Sequence, residues 1–227
     1  MDQTPDDDLR IAHSPTTLRE LVTEKMRQAI ISGRFNGGDR LIERTLCDQL
    51  GVSRSVVREA IRYLEAEGLV ESVSRAGPVV ATLDWNGARQ IYDIRRLLEA
   101  EAAAACARLA DASIKAQLRQ ALGELDKAFH QEASLHLYAA TTDFYRVIFT
   151  AAGHLIAWEV VSRLNSRISR LRALTLSSSN RRISGPAHMA RICQAICDND
   201  PEAAAQAVRS HLGDAAEIAQ TLLKDAR

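Results

Sequence analysis

Apolar and polar positions change rhythm twice along this chain of 227 residues. Leu18, Leu21, Val22, Met26 and Ile30 recur at helical spacing, predicting a helix over about 17–31 that Gly33 and then Gly37-Gly38 end in a loop. Arg40-Leu41-Ile42 predicts a short strand. From Glu43 to Gly68 the pattern predicts a short helix, a tight turn at Gly51-Val52-Ser53, and a second helix. At about 100° per residue with Arg54 at zero, Ser55, Arg58, Glu59, Arg62 and Glu65 fall between about 0° and 140°. Val56, Val57, Ala60, Ile61 and Leu64 fall between roughly 200° and 340°. One face can sit in a core while the other meets a polyanion. That is the geometry of a helix-turn-helix whose second helix enters the DNA major groove, although a plain amphipathic surface helix would divide in the same way.

The rhythm then shortens. Leu69-Val70-Glu71-Ser72-Val73 and Pro78-Val79-Val80-Ala81-Thr82 are two β-type runs joined by Ser74-Arg75-Ala76-Gly77, so the helices are followed by a small hairpin whose turn would be a wing. From Asp84 onward the strand signal is gone. Six helices are predicted, over about 85–110, 112–131, 134–152, 154–175, 185–199 and 201–224. Asp84 can cap the first of them, and Asp200 with Pro201 suits the start of the last. The stretch Ser177-Ser178-Ser179-Asn180-Arg181-Arg182 reads as an exposed loop. The fold class is therefore mainly α. An acidic, disordered tail (1–15) precedes a winged helix-turn-helix (16–83), and an all-helical domain (84–227) follows.

Composition changes little in this picture. Hydrophobic content of 46% and charged content of 26% are ordinary, while 4% aromatic residues and the run Ala102 to Ala105 favour helix. Net charge is zero, yet residues 9–83 carry 11 Lys and Arg against 9 Asp and Glu, so a small basic face can hide in a neutral chain. Cys47, Cys106, Cys193 and Cys197 are scattered without a CxxC pair and read as free thiols of a reducing compartment. Cys193 and Cys197, one helical turn apart, leave a metal or redox pair as the alternative. No signal peptide opens the chain and no apolar run reaches the ~18 residues that span a bilayer, so a soluble, cytoplasmic protein is expected. There is no GxSxG, HExxH or P-loop, and an enzyme is not expected. A protein-contact module built on the helix-turn-helix is the other alternative, against which the arginine face argues.

Specific motifs carry a family resemblance. Gly37-Gly38-Asp39-Arg40-Leu41, Glu43-Arg44-Thr45-Leu46, Leu50-Gly51-Val52-Ser53-Arg54, Val57-Arg58-Glu59-Ala60 and Leu64-Glu65-Ala66-Glu67-Gly68-Leu69-Val70 resemble the DNA-binding domain of GntR-type bacterial transcription regulators. Tyr92 to Glu99, Phe144-Tyr145-Arg146 to Gly153-His154, Ala187-His188 and Ser210-His211-Leu212 resemble the helical ligand-binding (FCD-type) domain of the FadR subfamily. Six helices suggest its VanR-like branch. The resemblance implies a homodimer on a palindromic operator, with Arg44, Arg54 and Arg58 as main DNA contacts and Gly77 at the wing tip. Side-chain chemistry is in keeping with this. Arg54 and Arg58 lie one turn apart where base edges are reached, and a guanidinium can donate bidentately to guanine. Ser53 fits the N-cap, whose free N–H groups can hold a phosphate, and Ser55 shares the exposed face. Gly77 allows close backbone approach to the minor groove. For Arg58 the alternative is a salt bridge to Glu59 or Glu65; for Arg62 and Arg75 it is solvated surface charge.

The resemblance also implies a divalent metal in the bundle, held by one Asp and three His. His188 and His211 match the last two ligands, but Thr141 and Tyr145 stand where the Asp and the first His are expected. Two imidazoles alone make a poor first-row metal site. The expectation is instead a polar pocket of Thr141, Tyr145, His188 and His211 that hydrogen-bonds a small effector directly, with Arg95 pairing an effector carboxylate. The alternative is that the histidines are hydrogen-bonded core residues and Arg95 sits in a structural ion pair.

Overall fold

The computed structural model describes residues 17–131, 134–176 and 185–225. The tail at 1–15 and the Ser-rich stretch at 177–182 lie outside the described residues. The chain runs α1 (Leu18–Ile31), α2 (Glu43–Leu50), α3 (Arg54–Ala66), β1 (Val70–Val73), β2 (Gly77–Val80), α4 (Trp85–Leu109), α5 (Ala112–His130), α6 (Ser134–Ala151), α7 (Leu155–Arg167), α8 (Ser169–Leu176), α9 (Gly185–Cys197) and α10 (Pro201–Asp225).

Local chemistry sets the ends of the N-terminal elements. Thr17 and Glu20 form a capping box at the start of α1, each side chain bonding the other's backbone N–H. Gly51, at φ 67°, closes α2 in the left-handed region and lets α3 start three residues later. Val57, Ala60, Ile61 and Leu64 are the buried face of α3 and pack with Val22, Met26, Ile30, Leu41 and Leu46 into one core. β1 and β2 pair antiparallel in the register Val70↔Val80 to Val73↔Gly77. The strand expected at 40–42 shrinks to a single bridge, Arg40↔Val79. Leu41 is drawn into the core and Ile42 is already the N-cap of α2, which leaves no room for a ladder.

A second core belongs to the helices after Asp84. Asp84 and Asp111 cap α4 and α5 by accepting from Gly87 N and Ile114 N at 2.8 Å each. Asp200 accepts from Ala203 N at the start of α10. α4 is the central helix: it packs along α10 and also against α6, α7 and α9. Ala102 to Ala105 are all buried, because only small side chains let neighbours approach a helix from several sides. The helix expected over 154–175 is divided at Ile168 (φ −110°, ψ 17°) into α7 and α8, so seven helices are described where six were counted. Ser166 Oγ donates to the Ser162 carbonyl at 3.2 Å just before the break, a back-bond that bends helices. Among the described residues no helix is long and apolar enough to cross a membrane.

Candidate functional site

Two surfaces bear candidate chemistry. The first is the exposed face of α3 with its surroundings. Arg44, Ser53, Arg54, Ser55, Arg58 and Arg62 are all exposed. Ser53 occupies the N-cap of α3 in extended geometry (ψ 158°), but its side chain makes no capping bond; its Oγ lies 2.9 Å from Ser55 Oγ. The first N–H groups of α3 therefore remain without a side-chain cap, aimed outward with the positive end of the helix dipole. Arg58 is not paired with Glu59 or Glu65. Its Nε–H donates to both carboxylate oxygens of Glu43, at 2.8 and 2.9 Å, bridging α3 to the first residue of α2. That hydrogen bond and the Glu43 charge raise the Arg58 pKa. Glu65 instead accepts from Ser72 Oγ of β1 at 2.5 Å. At the wing, Arg75 (φ 68°) and Gly77 (φ 77°) both adopt left-handed backbone, and Arg40 Nε–H donates to the Ala76 carbonyl at 2.9 Å. No side chain lies within 4 Å of the position a Cβ on Gly77 would take, so the turn is open to solvent.

The second is the polar centre of the helical bundle, where Arg95, Glu99, Thr141, Arg172, His188 and His211 are buried. Arg95 Nε–H donates to Glu99 Oε1 at 2.6 Å and a second N–H reaches Oε2 at 3.4 Å. Burial opposes the Arg95 charge, yet the Glu99 carboxylate outweighs it and raises the pKa. Tyr145 stacks near His211, with ring centroids 6.4 Å apart, and the His211 and His188 rings lie 5.3 Å apart. Burial, then the Glu99 charge, push the Tyr145 phenol well above its ordinary pKa, so it stays a neutral donor. His188 Nε2 lies 2.8 Å from Asp214 Oδ2. Thr141 is buried in the same helix as Tyr145, but its hydroxyl donates to the Leu137 carbonyl at 2.7 Å. Tyr145, His188 and His211 thus come together, while Thr141 spends its hydroxyl on its own helix.

The metal that the resemblance implies does not fit this donor set. Thr141 Oγ is already engaged, Tyr145 is held neutral, and His188 faces Asp214. Among the described residues no three His, Cys, Asp or Glu side chains are grouped to hold a metal ion. Four residues of these two surfaces escaped the sequence reading. Glu99 was legible, being the i+4 partner of Arg95 on the face shared with Tyr92 and Ala102. Asp214 follows His211 by one turn. Glu43 and Arg172 had no local signal, because each acts on a residue far away in sequence.

A hairpin-winged helix-turn-helix with an arginine-bearing second helix, joined to a closed helical bundle, defines a DNA-binding transcription regulator with a ligand-binding domain. Residues 18–80 match the family described as bacterial regulatory proteins, gntR family, and residues 90–214 match the FCD domain. The chain belongs to the GntR family of bacterial transcription regulators, among those that carry an FCD domain. It is 26% identical over 222 residues to the uncharacterized HTH-type transcriptional regulator YdhC of Bacillus subtilis, covering 97% of this chain and 99% of YdhC. It is 27% identical over 238 residues to the HTH-type transcriptional regulator Mce2R of Mycobacterium tuberculosis, covering 94% and 95%. In fold it is similar to E. coli McbR/YncC, with a TM-score of 0.75 at 20% identity over 92% of this chain and 99% of that one.

Proposed function

We propose that this regulator acts in the cytoplasm as a homodimer on a palindromic operator of double-stranded DNA. Arg44, Ser53, Arg54, Ser55, Arg58, Arg62 and Gly77 make the contacts. The observation that carries this reading is the exposed face of α3, where arginines one turn apart stand over an uncapped helix start and beside an open wing. Glu43 holds the Arg58 guanidinium on that face before DNA arrives. One head is a small interface, and two half-sites read together supply the specificity a single one lacks. The dimer surface proposed is the pair α4 and α7, which pack side by side and expose Ile94, Leu97, Ile156 and Val160. Leu97 and Ile156 are 74% and 79% exposed, a poor state for large apolar side chains unless a second copy covers them.

The bundle takes a small-molecule effector, an organic acid, at the polar centre formed by Arg95, Thr141, Tyr145, His188 and His211. Its binding shifts the population of dimer arrangements and so the spacing of the two heads. The test is a gel-shift titration at fixed salt against an operator enriched from random DNA. Arg58→Ala should lose specific binding by tenfold or more while the circular dichroism spectrum is unchanged. Parental affinity in Arg58→Ala would refute the assignment.

A further inference from the structure

The cores of the head and of the bundle share no residue. A cleft of about 520 Å³ lies between them, walled by Ile30, Leu69 and Val80 on one side and by Leu171, Leu174 and Leu222 on the other. Apolar packing therefore does not lock the two together, and the short tether 81–84 between β2 and α4 would by itself leave the head free to turn. Two arginines on either side of the break at Ile168 bridge the join. Arg170 lies over Gly33, which ends α1 at φ 80°, with Nη2 3.2 Å from where a Cβ would stand. Arg167 lies over Gly68, which ends α3 at φ 75°, with Cγ at 2.7 Å and Nε at 3.2 Å from the same kind of position. Each arginine thus sits at the carbonyl end of a head helix, the end whose negative partial charge favours a cation. Glu65, Glu67 and Glu71 of the head line an adjoining cleft of about 440 Å³ that Arg163 and Arg167 complete, and their field adds to the two dipoles. They do so without direct pairing among the described residues: Glu67 is held by Arg27 at 2.6 Å, Glu65 by Ser72 Oγ at 2.5 Å, and Glu71 Oε1 lies 3.4 Å from the Thr82 N–H nitrogen.

We infer that Arg167 and Arg170 are positioning residues that fix the angle of each head on its bundle, and with it the half-site spacing that the dimer accepts. The inference rests on the reading of a two-headed dimer on a palindrome, and it names what sets the distance between the heads. Arg167 grips the far end of the helix whose start carries Ser53 and Arg54. That helix has 13 residues and is roughly 20 Å long. A turn of about 15° about Gly68 would carry its start by about 5 Å, more than the ~3.4 Å rise of one base pair. Held heads therefore read one spacing. Heads on a tether alone read several, each at a lower effective concentration of the second head.

The test uses the full-length protein and an operator that it enriches from random DNA. Derivatives of that operator carry extra base pairs between the half-sites, up to about 5, which is half a helical turn. A lone half-site is the control, and gel shifts at fixed salt give the affinities. The parent should bind the longest insertion roughly tenfold more weakly than its operator. Arg167→Glu with Arg170→Glu should bind the operator about tenfold more weakly than the parent, and every insertion within about threefold of that value. Its affinity for the lone half-site should stay within about twofold of the parent's, because the face of α3 is untouched. Light scattering should still show a dimer, and small-angle X-ray scattering a larger radius of gyration. Arg167→Met with Arg170→Met keeps the packing stems without the charge; it should shift spacing preference in the same direction and carries the test if the glutamate pair does not fold. A spacing-strict parent whose folded variants are equally strict would overturn the inference and leave the two-headed reading standing. Loss of half-site affinity in step with operator affinity would also overturn it, because the arginines would then act on the reading face itself. A parent indifferent to spacing would remove the two-headed reading, and the inference with it.

Discussion

The Arg95–Glu99 pair gives a sharp energetic prediction. Both side chains are essentially sealed from water, at 2% and 0% exposure, and the contact is 2.6 Å. Glu99→Gln keeps the shape and a hydrogen-bond acceptor but removes the charge that answers Arg95. It also strips Arg172 of the carboxylate that favours its charged form. Breaking one partner of a buried pair typically costs about 3–5 kcal/mol, and two uncompensated guanidiniums place this site toward the upper end. For a chain of this size each kcal/mol lowers the melting temperature by roughly 2–4 °C, so a fall of roughly 6–20 °C is expected. The assay is thermal unfolding followed at 222 nm in an acetate-free buffer. The apolar double variant Arg95→Met with Glu99→Leu should recover part of the loss, because it removes the Arg95 charge and its repulsion of Arg172 but still leaves Arg172 without the Glu99 carboxylate. A Glu99→Gln protein melting within 2 °C of its parent would refute the account of the bundle centre given above.

Three further outcomes are expected. Leu97→Glu should convert the dimer to a monomer by light scattering at micromolar concentration, and should weaken operator binding with it; a dimer that persists rejects the α4–α7 surface. Gly68→Ala should cost more than Gly51→Ala in a urea titration. Both glycines are left-handed (φ 75° and 67°), which costs about 1–2 kcal/mol for alanine, but only at Gly68 would the new Cβ meet another residue, Arg167 Cγ at 2.7 Å. Equal midpoints would show that Arg167 yields freely. Burial, and then the neighbouring Cys197, raise the thiols of Cys106 and Cys193 from 9.0 to about 11 and about 12. These thiols stay protonated in the fold where the unfolded chain ionises. They should therefore react with Ellman's reagent at pH 8 far more slowly than in denaturant, and stability should fall as pH rises above 9. Rapid native labelling of either would contradict this.

The periodic parts of the chain were legible and the long-range parts were not. The buried face of α3 follows directly from the angular count, and the Asp84 and Asp200 caps follow from helix-start chemistry. The division of the helix expected over 154–175 was not legible, because neither proline nor glycine marks it. A serine back-bond and the packing of α8 against α1 and α6 replace those signals. At the candidate sites the arginines of α3 were readable from their face, but the partner of Arg58 was not, since Glu43 lies in a different helix. In the bundle, Arg95 was anticipated with a ligand carboxylate as partner, and the structure gives it Glu99. Arg172 sits among Arg163, Arg167 and Arg170, and nothing in that spacing tells which of the four is buried.

The break at Ile168 sets α8 apart as a helix that packs against both the bundle and the N-terminal domain. On the eight-residue α8, Arg170 and Arg172 lie two positions apart and so point to nearly opposite sides. Arg170 rests against Gly33 at the end of α1, with Nη2 3.2 Å from where a Cβ would stand. Arg172 reaches a buried cavity that Arg95 also lines. α8 therefore touches both domains at once, with Arg172 in the interior of the bundle and Arg170 at the end of α1.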